Sequence, residues 1–343
     1  MDWYNNLKIL EIDLSSYCNA SCPSCARTIS QDIVKLTHFD KDVWKRLWQE
    51  DLSNTKIEQL VFNGNWGDPM MHKDIIDFLK YPAEHNPDMF LKIDTNGGMR
   101  NEKFWSSLAN TLANSFNNPT IVRFGLDGTD NYTNNLYRVD VQYDTVIKNA
   151  KAFIRNGGCA MWNMTVFDHN VHQIQNAMHI AEDTGFVSFR SRPSYARNIY
   201  DKHSNITATT FCYDSIPHNE LFYLKDFKED ICIDATPKTE IQQTTHKCTW
   251  YRQRKAQLDP YMNVWPCCHI SGELYPIPEY TMIDIYKDSW QKYGNKFNNL
   301  ANNSLINILQ SEYYSHEINN AIEQLRWKPC VKFCGVDKIK ETI

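Results

Sequence analysis

The chain has no stretch of about eighteen consecutive apolar residues, so no transmembrane helix is expected. Its first residues, Met-Asp-Trp-Tyr-Asn-Asn, lack the basic flank and apolar core of a signal peptide, and the cytoplasm is the expected compartment. There is no surplus of positive charge. The formal net charge is −5, which argues against a broad nucleic-acid footprint while leaving room for a local groove. No low-complexity tract is present, and no internal repeat beyond a strand–helix rhythm. Core-forming residues are not scarce: with 42% hydrophobic and 13% aromatic residues in 343, the chain reads as one large folded domain or two. An even cysteine count is also missing. Eleven cysteines fit a disulfide framework poorly, and their clustering favours metal binding in a reducing compartment. Cys159, Cys212 and Cys232 lie outside any cluster pattern and read as buried small residues.

The strongest positive signal is Cys18, Cys22 and Cys25 in the run Cys-Asn-Ala-Ser-Cys-Pro-Ser-Cys, directly after the apolar stretch Leu7–Leu14. Thiolates are the standard ligands of iron–sulfur clusters, and three of them around a four-iron cluster leave one iron open for chemistry. A structural zinc site is the competing reading. Zinc sites, however, usually show their cysteines as Cys-x-x-Cys pairs, and here the first gap is three residues with no close fourth ligand.

The first 190 residues alternate strand-like and helix-like stretches, which argues for a parallel sheet with crossover helices. Strands are expected at Leu7–Leu14, Ile57–Phe62, Met89–Asp94, Ile121–Leu126, Ala160–Phe167 and Phe186–Arg190. Between them, Asp40 caps a helix with Val43, Trp44, Leu47 and Trp48 on one face. Phe104, Trp105, Leu108 and Leu112 form a second face, and Val146, Ile147, Ala150 and Ile154 a third. Ile174, Ala177, Met178 and Ala181 form a fourth, stopped by Gly185. Periodicity alone does not separate a partial barrel from a doubly wound sheet. From Ser191 to about Lys247 polar and aromatic residues mix with Pro193, Pro217 and Pro237, and a bridging region with little regular structure is expected. Two helical patterns follow, around Leu305–Leu309 and Ile318–Leu325.

The cysteine triplet with this rhythm resembles the radical S-adenosylmethionine (radical SAM) enzymes, in which the open iron binds the amino and carboxylate groups of SAM. An electron from that cluster then cleaves SAM to a 5′-deoxyadenosyl radical. Ser24 departs from the family, which often places an aromatic residue before the third cysteine. The resemblance implies an α/β fold, a partial (β/α)6 TIM-like barrel over residues 1–190, with ligands at the C-terminal ends of its strands.

After the second strand, Asn63-Gly64-Asn65-Trp66-Gly67-Asp68-Pro69 resembles the family's glycine-rich motif ending in Glu-Pro. Gly64 and Gly67 permit close backbone approach, and Asp68 stands where the family's acid helps hold the SAM amino group, with Asn65-Trp66 as an insertion. A plain strand-to-helix turn is the other reading. Thr95-Asn96 after the third strand is similar to the family's stretch near SAM. Asp127 after the fourth, in Gly-Leu-Asp-Gly, either reaches the ribose or caps a turn. Arg138 resembles the arginine that pairs with the SAM carboxylate, a role suited to its planar fork, and a solvated surface arginine is the alternative. Thr165, in Asn163-Met164-Thr165-Val166, falls in the segment that flanks adenine in the family.

Cys248, Cys267, Cys330 and Cys334 resemble the ligands of the auxiliary-cluster domains called SPASM and twitch, over residues 248–343 joined by a bridge at 191–247. The count implies one fully ligated four-iron cluster, suited to electron transfer, or a zinc site on the same thiolates, with Cys268 as a spare or a replacement for Cys267. The expected cofactors are therefore two [4Fe-4S] clusters and SAM, and the expected partner a low-potential donor of the flavodoxin or ferredoxin type. The expected reaction is hydrogen abstraction from a substrate held between barrel and C-terminal domain, in peptide or protein modification or oxidation. Two rivals stand beside it: a twitch-type dehydrogenase of small alcohols, and a non-catalytic iron–sulfur or zinc protein with a degenerate SAM site. Arg190, Arg192, Tyr195 and Arg197 are expected in a loop after the last strand, either meeting an anionic or peptide substrate or standing as plain surface residues.

Overall fold

The computed structural model describes residues 3–32, 34–194, 198–200, 206–209, 220–223, 248, 250, 253–271, 291–294 and 296–323. All six expected strands form: β1 (Ile9–Ile12), β2 (Gln59–Phe62), β3 (Phe90–Thr95), β4 (Ile121–Gly125), β5 (Cys159–Val166) and β6 (Ser188–Pro193). They pair in sequence order and parallel throughout, the core of a partial TIM-like barrel. The helices between them start and stop where the side chains dictate. Asp40 Oδ1 accepts from the N–H groups of Asp42 and Val43 at 2.9 Å, Asn101 caps Glu102–Ser115, and Gly185 ends Ile174–Thr184 at φ 96°.

Strand alternation sorts the two faces of this sheet. Leu10, Ile12, Phe62, Phe124 and Trp162 point to the helices and join one large core with Trp44, Trp105 and Phe153. The opposite, concave face is apolar only low down, where Ile121, Met161 and Val187 form a small separate cluster with Cys159 packed against it. Further along the strands the concave face becomes charged. The registers set Asp94 beside Arg123, Asn163 beside Arg190 and Thr165 beside Arg192.

Two differences from the expectation concern the flanks. Residues 191–223 carry β7 (Asn198–Tyr200) and β8 (Ile206–Thr209), which pair with each other, and β9 (Glu220–Tyr223), which adds antiparallel to β6. Their Ile, Thr, Phe and Tyr content suits a pleated surface although it reads as irregular in sequence. Arg190 and Arg192 accordingly lie on β6 rather than in a loop after it. At the other edge, β10 (Lys255–Leu258) pairs parallel to β1, and β11 (Val264–Trp265) antiparallel to β10, so the C-terminal part extends the barrel's own sheet. Buried Asp259 closes the β10–β11 turn by accepting from Tyr261 N at 2.9 Å, Asn263 N at 3.0 Å and Trp265 Nε1 at 2.7 Å. The helix Leu305–Leu309 forms as expected, and the second pattern appears as Ile318–Glu323. Among the described residues no helix is long and apolar enough to cross a membrane.

Candidate functional site

The loop from β1 carries Cys18, Cys22 and Cys25 into one cavity of about 260 Å³ at the C-terminal ends of the strands. All three are free thiols, Cys22 buried and the other two half-buried. Ala20 N–H donates to Cys18 Sγ at 3.4 Å, and Asn96 Nδ2 donates to the same sulfur at 3.6 Å and to Asn19 Oδ1 at 2.8 Å. Burial pushes the Cys18 thiol up to about 12, with the Asp68 carboxylate adding to it, and burial pushes Cys22 up to about 11 against the pull of Arg138. Thiolates here therefore need a cation beside them. No group of three His, Cys, Asp or Glu side chains that could hold a single metal ion occurs among the described residues. Three thiols lining one cavity are the donor set that an iron–sulfur cluster takes.

The glycine-rich loop after β2 forms the adjoining wall. A Cβ on Gly67 would stand 2.4 Å from the carbonyl oxygens of both Ser15 and Tyr17, so only glycine lets this loop press against the cysteine loop. Buried Asp68 ties that wall to the end of β3. Its carboxylate accepts from Met70 N at 2.9 Å, Asn96 N at 2.8 Å and Thr95 Oγ1 at 3.0 Å. The Asn65-Trp66 insertion is equally built in. Asp13, fully buried at the end of β1, accepts from Asn65 N at 2.7 Å, Trp66 N at 3.3 Å and Gln257 Nε2 at 2.7 Å, while the Trp66 ring meets Tyr261 edge-on at 5.4 Å. Burial raises Asp13 to about 7 despite these bonds.

On the far side of the motif series, Arg138 lines the cavity and is set from behind by Asp127. Arg138 Nε donates to Asp127 Oδ2 at 2.6 Å, and the second carboxylate oxygen accepts from Thr165 N at 2.6 Å. Burial opposes the Arg138 charge, but Asp127, with Cys22 and Tyr137, outweighs it and holds the guanidinium above its ordinary pKa. Gly125 leaves room for this: a Cβ there would sit 2.9 Å from an Arg138 terminal nitrogen.

The cavity thus gathers the three cysteines with Gly64, Gly67, Asp68, Thr95, Asn96 and Arg138. Asp127 and Thr165 are not in its lining; Asp127, with no exposed surface, stands behind Arg138 and bonds the Thr165 backbone. Arg27, which donates to Ala20 O at 2.9 Å, and the Asp94–Arg123 ion pair also line the cavity and were missed in sequence. A lone arginine inside the apolar run Ile121-Val122-Arg123-Phe124 was the available signal.

Of the second cysteine set, Cys248 and Cys267 are buried in the same core cluster. Cys267 lies toward Tyr314, whose pKa its thiol and Asp259 help raise after burial. Its neighbour Cys268 lies toward β1, where burial and the Glu11 and Asp13 carboxylates push its thiol well up. Cys330, Cys334, Cys212, Cys232, Tyr195 and Arg197 lie outside the described residues.

No family sequence model matches the chain, and no curated protein matches it by sequence. Its architecture is that of the radical SAM enzymes. Streptococcus suis SuiB bound to the precursor peptide SuiA is 16% identical, with 91% of this chain and 66% of that chain aligned at a TM-score of 0.57. SuiB bound to S-adenosylmethionine is 17% identical, with 82% and 65% covered and a TM-score of 0.52. The anSMEcpe structure with AdoMet, which is SAM, and Cp18Cys peptide is 12% identical, with 90% and 81% covered and a TM-score of 0.53. The chain spans slightly less than two thirds of the SuiB chains. Likeness at these identities establishes the fold.

Proposed function

We propose that this chain is a radical SAM enzyme that binds a [4Fe-4S] cluster through Cys18, Cys22 and Cys25 and abstracts a hydrogen from a peptide substrate. The observation that carries this reading is that one cavity is lined by all three thiols, the glycine-rich loop, Asn96 and Arg138. Cys18, Cys22 and Cys25 would hold such a cluster as thiolates, which supply three of its four ligands. Gly64 and Gly67 bring backbone close to the amino acid part of SAM, and Arg138, aimed by Asp127, offers its terminal nitrogens to the carboxylate. Asn96 fixes Cys18 by a hydrogen bond to its sulfur. When bound, cluster and SAM supply a 5′-deoxyadenosyl radical by reductive cleavage of SAM. The electron comes from a low-potential protein of the flavodoxin or ferredoxin type, and the free thiols suit a reducing cytoplasm.

A peptide substrate is favoured because two proteins of the same fold are seen with peptides, SuiB with SuiA and anSMEcpe with Cp18Cys. In the C-terminal part, residues 248–343, we assign Cys248 and Cys267, with Cys330 and Cys334, as the residues that would hold a second, fully ligated cluster, whose chemistry would be electron transfer. Cys248 and Cys267 are both buried, away from water, as the ligands of an enclosed cluster would be. The test is anaerobic reconstitution with iron and sulfide, followed by SAM and dithionite. 5′-Deoxyadenosine should form, and should not form in Cys22→Ala. An intact cluster that yields none would leave the non-catalytic alternative standing.

A further inference from the structure

Arg192, on the concave face, is a cation that the SAM-binding reading does not use. Arg192 lines the cavity from β6, half-buried, and among the described residues its guanidinium has no hydrogen-bond or ion-pair partner. Its neighbours are already matched. Arg123 is held bidentately by Asp94 across the β3–β4 register, with Nη2 to Oδ2 at 2.5 Å, and Arg138 is held by buried Asp127. Among the described residues Arg192 is left without an acidic partner of this kind beside these guanidiniums. Burial and the nearby Arg190, Arg123 and Arg138 all disfavour its charge, and Asp94 alone opposes them. A guanidinium carries five donors and keeps its proton, so leaving it partly desolvated and unpaired is unfavourable unless an anion arrives.

We propose that Arg192 is the subsite for a carboxylate of the substrate, so that the molecule presented to the SAM site is acidic there: a glutamate or aspartate side chain, or a terminal carboxylate. This rests on the reading above only in assigning the SAM carboxylate to Arg138. The planar fork of a guanidinium suits a carboxylate, which it can bind through two parallel N–H donors. Asn163, which lines the same cavity beside Arg190 in register, adds a neutral polar neighbour.

The experiment uses the full chain, reconstituted with iron and sulfide. Acetyl-Gly-Glu-Gly-amide and acetyl-Gly-Gln-Gly-amide are titrated by calorimetry in the presence of saturating SAM, and SAM is titrated separately. A charge-assisted bidentate contact should favour the Glu peptide by about tenfold or more. Arg192→Gln should erase that preference while changing SAM affinity by no more than about twofold. Arg192→Lys should keep part of the preference. Equal binding of the two peptides to the wild type would overturn the proposal. A tenfold loss of SAM affinity in Arg192→Gln would also overturn it, by assigning the carboxylate to SAM. Thermal unfolding of the chain without SAM gives an independent arm. Removing an unsatisfied cation should leave the melting temperature unchanged or higher, whereas a fall, or a failure to fold, would make Arg192 a structural residue and sink the proposal. Absence of SAM binding to the wild type would instead undo the reading beneath it, and the unfolding arm does not depend on SAM.

Discussion

The joint between Asp127 and Arg138 gives the most quantitative test of how the cavity is held. Asp127 has no exposed surface, and Arg138 retains 19% side-chain exposure, with Nε 2.6 Å from the carboxylate. Two charges about 3 Å apart attract by about 5 kcal/mol at an effective dielectric near 20. Replacing Arg138 with Met keeps the bulk of the side chain but leaves the carboxylate with the Thr165 N–H alone on its side-chain oxygens. Breaking a buried pair in this way costs about 3–5 kcal/mol. Asp127→Asn should cost less, because Arg138 keeps a route to water, and the double variant should be more stable than Arg138→Met alone. A double-mutant cycle read by urea unfolding at pH 7.5 should therefore return a coupling of about 3 kcal/mol, little changed by added salt. SAM affinity should fall in both single variants, most in Arg138→Met. A coupling under about 0.5 kcal/mol would refute the argument that Asp127 sets Arg138.

Three further outcomes follow from other parts of the site. Gly67→Ala drives a methyl into the Ser15 and Tyr17 carbonyls and should lower stability by about 1–3 kcal/mol and abolish SAM binding, as calorimetry would show; wild-type affinity would contradict the close approach. Asp13 is raised from 3.8 to about 7 by burial, so the folded chain binds the extra proton between those values. Its contribution is present below about pH 4 and lost as pH rises through 7, up to roughly 4 kcal/mol. Asp13→Asn should flatten the difference between urea midpoints at pH 5 and pH 8, and an undiminished difference would place the titration elsewhere. Iron analysis after reconstitution should fall by about four irons per chain in Cys248→Ala and again in Cys22→Ala, and bound zinc in the C-terminal part would contradict the second cluster.

Much of the site was legible because its chemistry is local. Cysteines separated by three and then two residues, and glycines directly after a strand, leave a mark in the sequence that survives without knowledge of the packing. What was hidden depends on pairing across the sheet. The run Lys255-Ala-Gln-Leu258 is short and half polar, and only its register beside β1 explains it, since Lys255 meets Glu11 at 3.2 Å and Gln257 meets Asp13. Asp127 showed itself in sequence as a loop acid, but whether it faces a ligand or braces an arginine depends on where Arg138 returns, eleven residues on. Arg123 on β4 and Arg192 on β6, with β5 between them, needed the registers of three successive strands to be placed on one face. Asn65-Trp66, which weakened the motif match, is held by Asp13 and Tyr261, partners about fifty and two hundred residues away that no local pattern reveals.

The central claim is that the three-cysteine cluster keeps an iron open to SAM. Electron paramagnetic resonance of the reconstituted, dithionite-reduced chain, recorded with and without SAM, tests it most directly. The signal of this cluster should change on SAM addition, keep changing in Cys248→Ala, and be missing in Cys22→Ala. A reduced cluster bound by Cys18, Cys22 and Cys25 whose spectrum is the same with saturating SAM would contradict it.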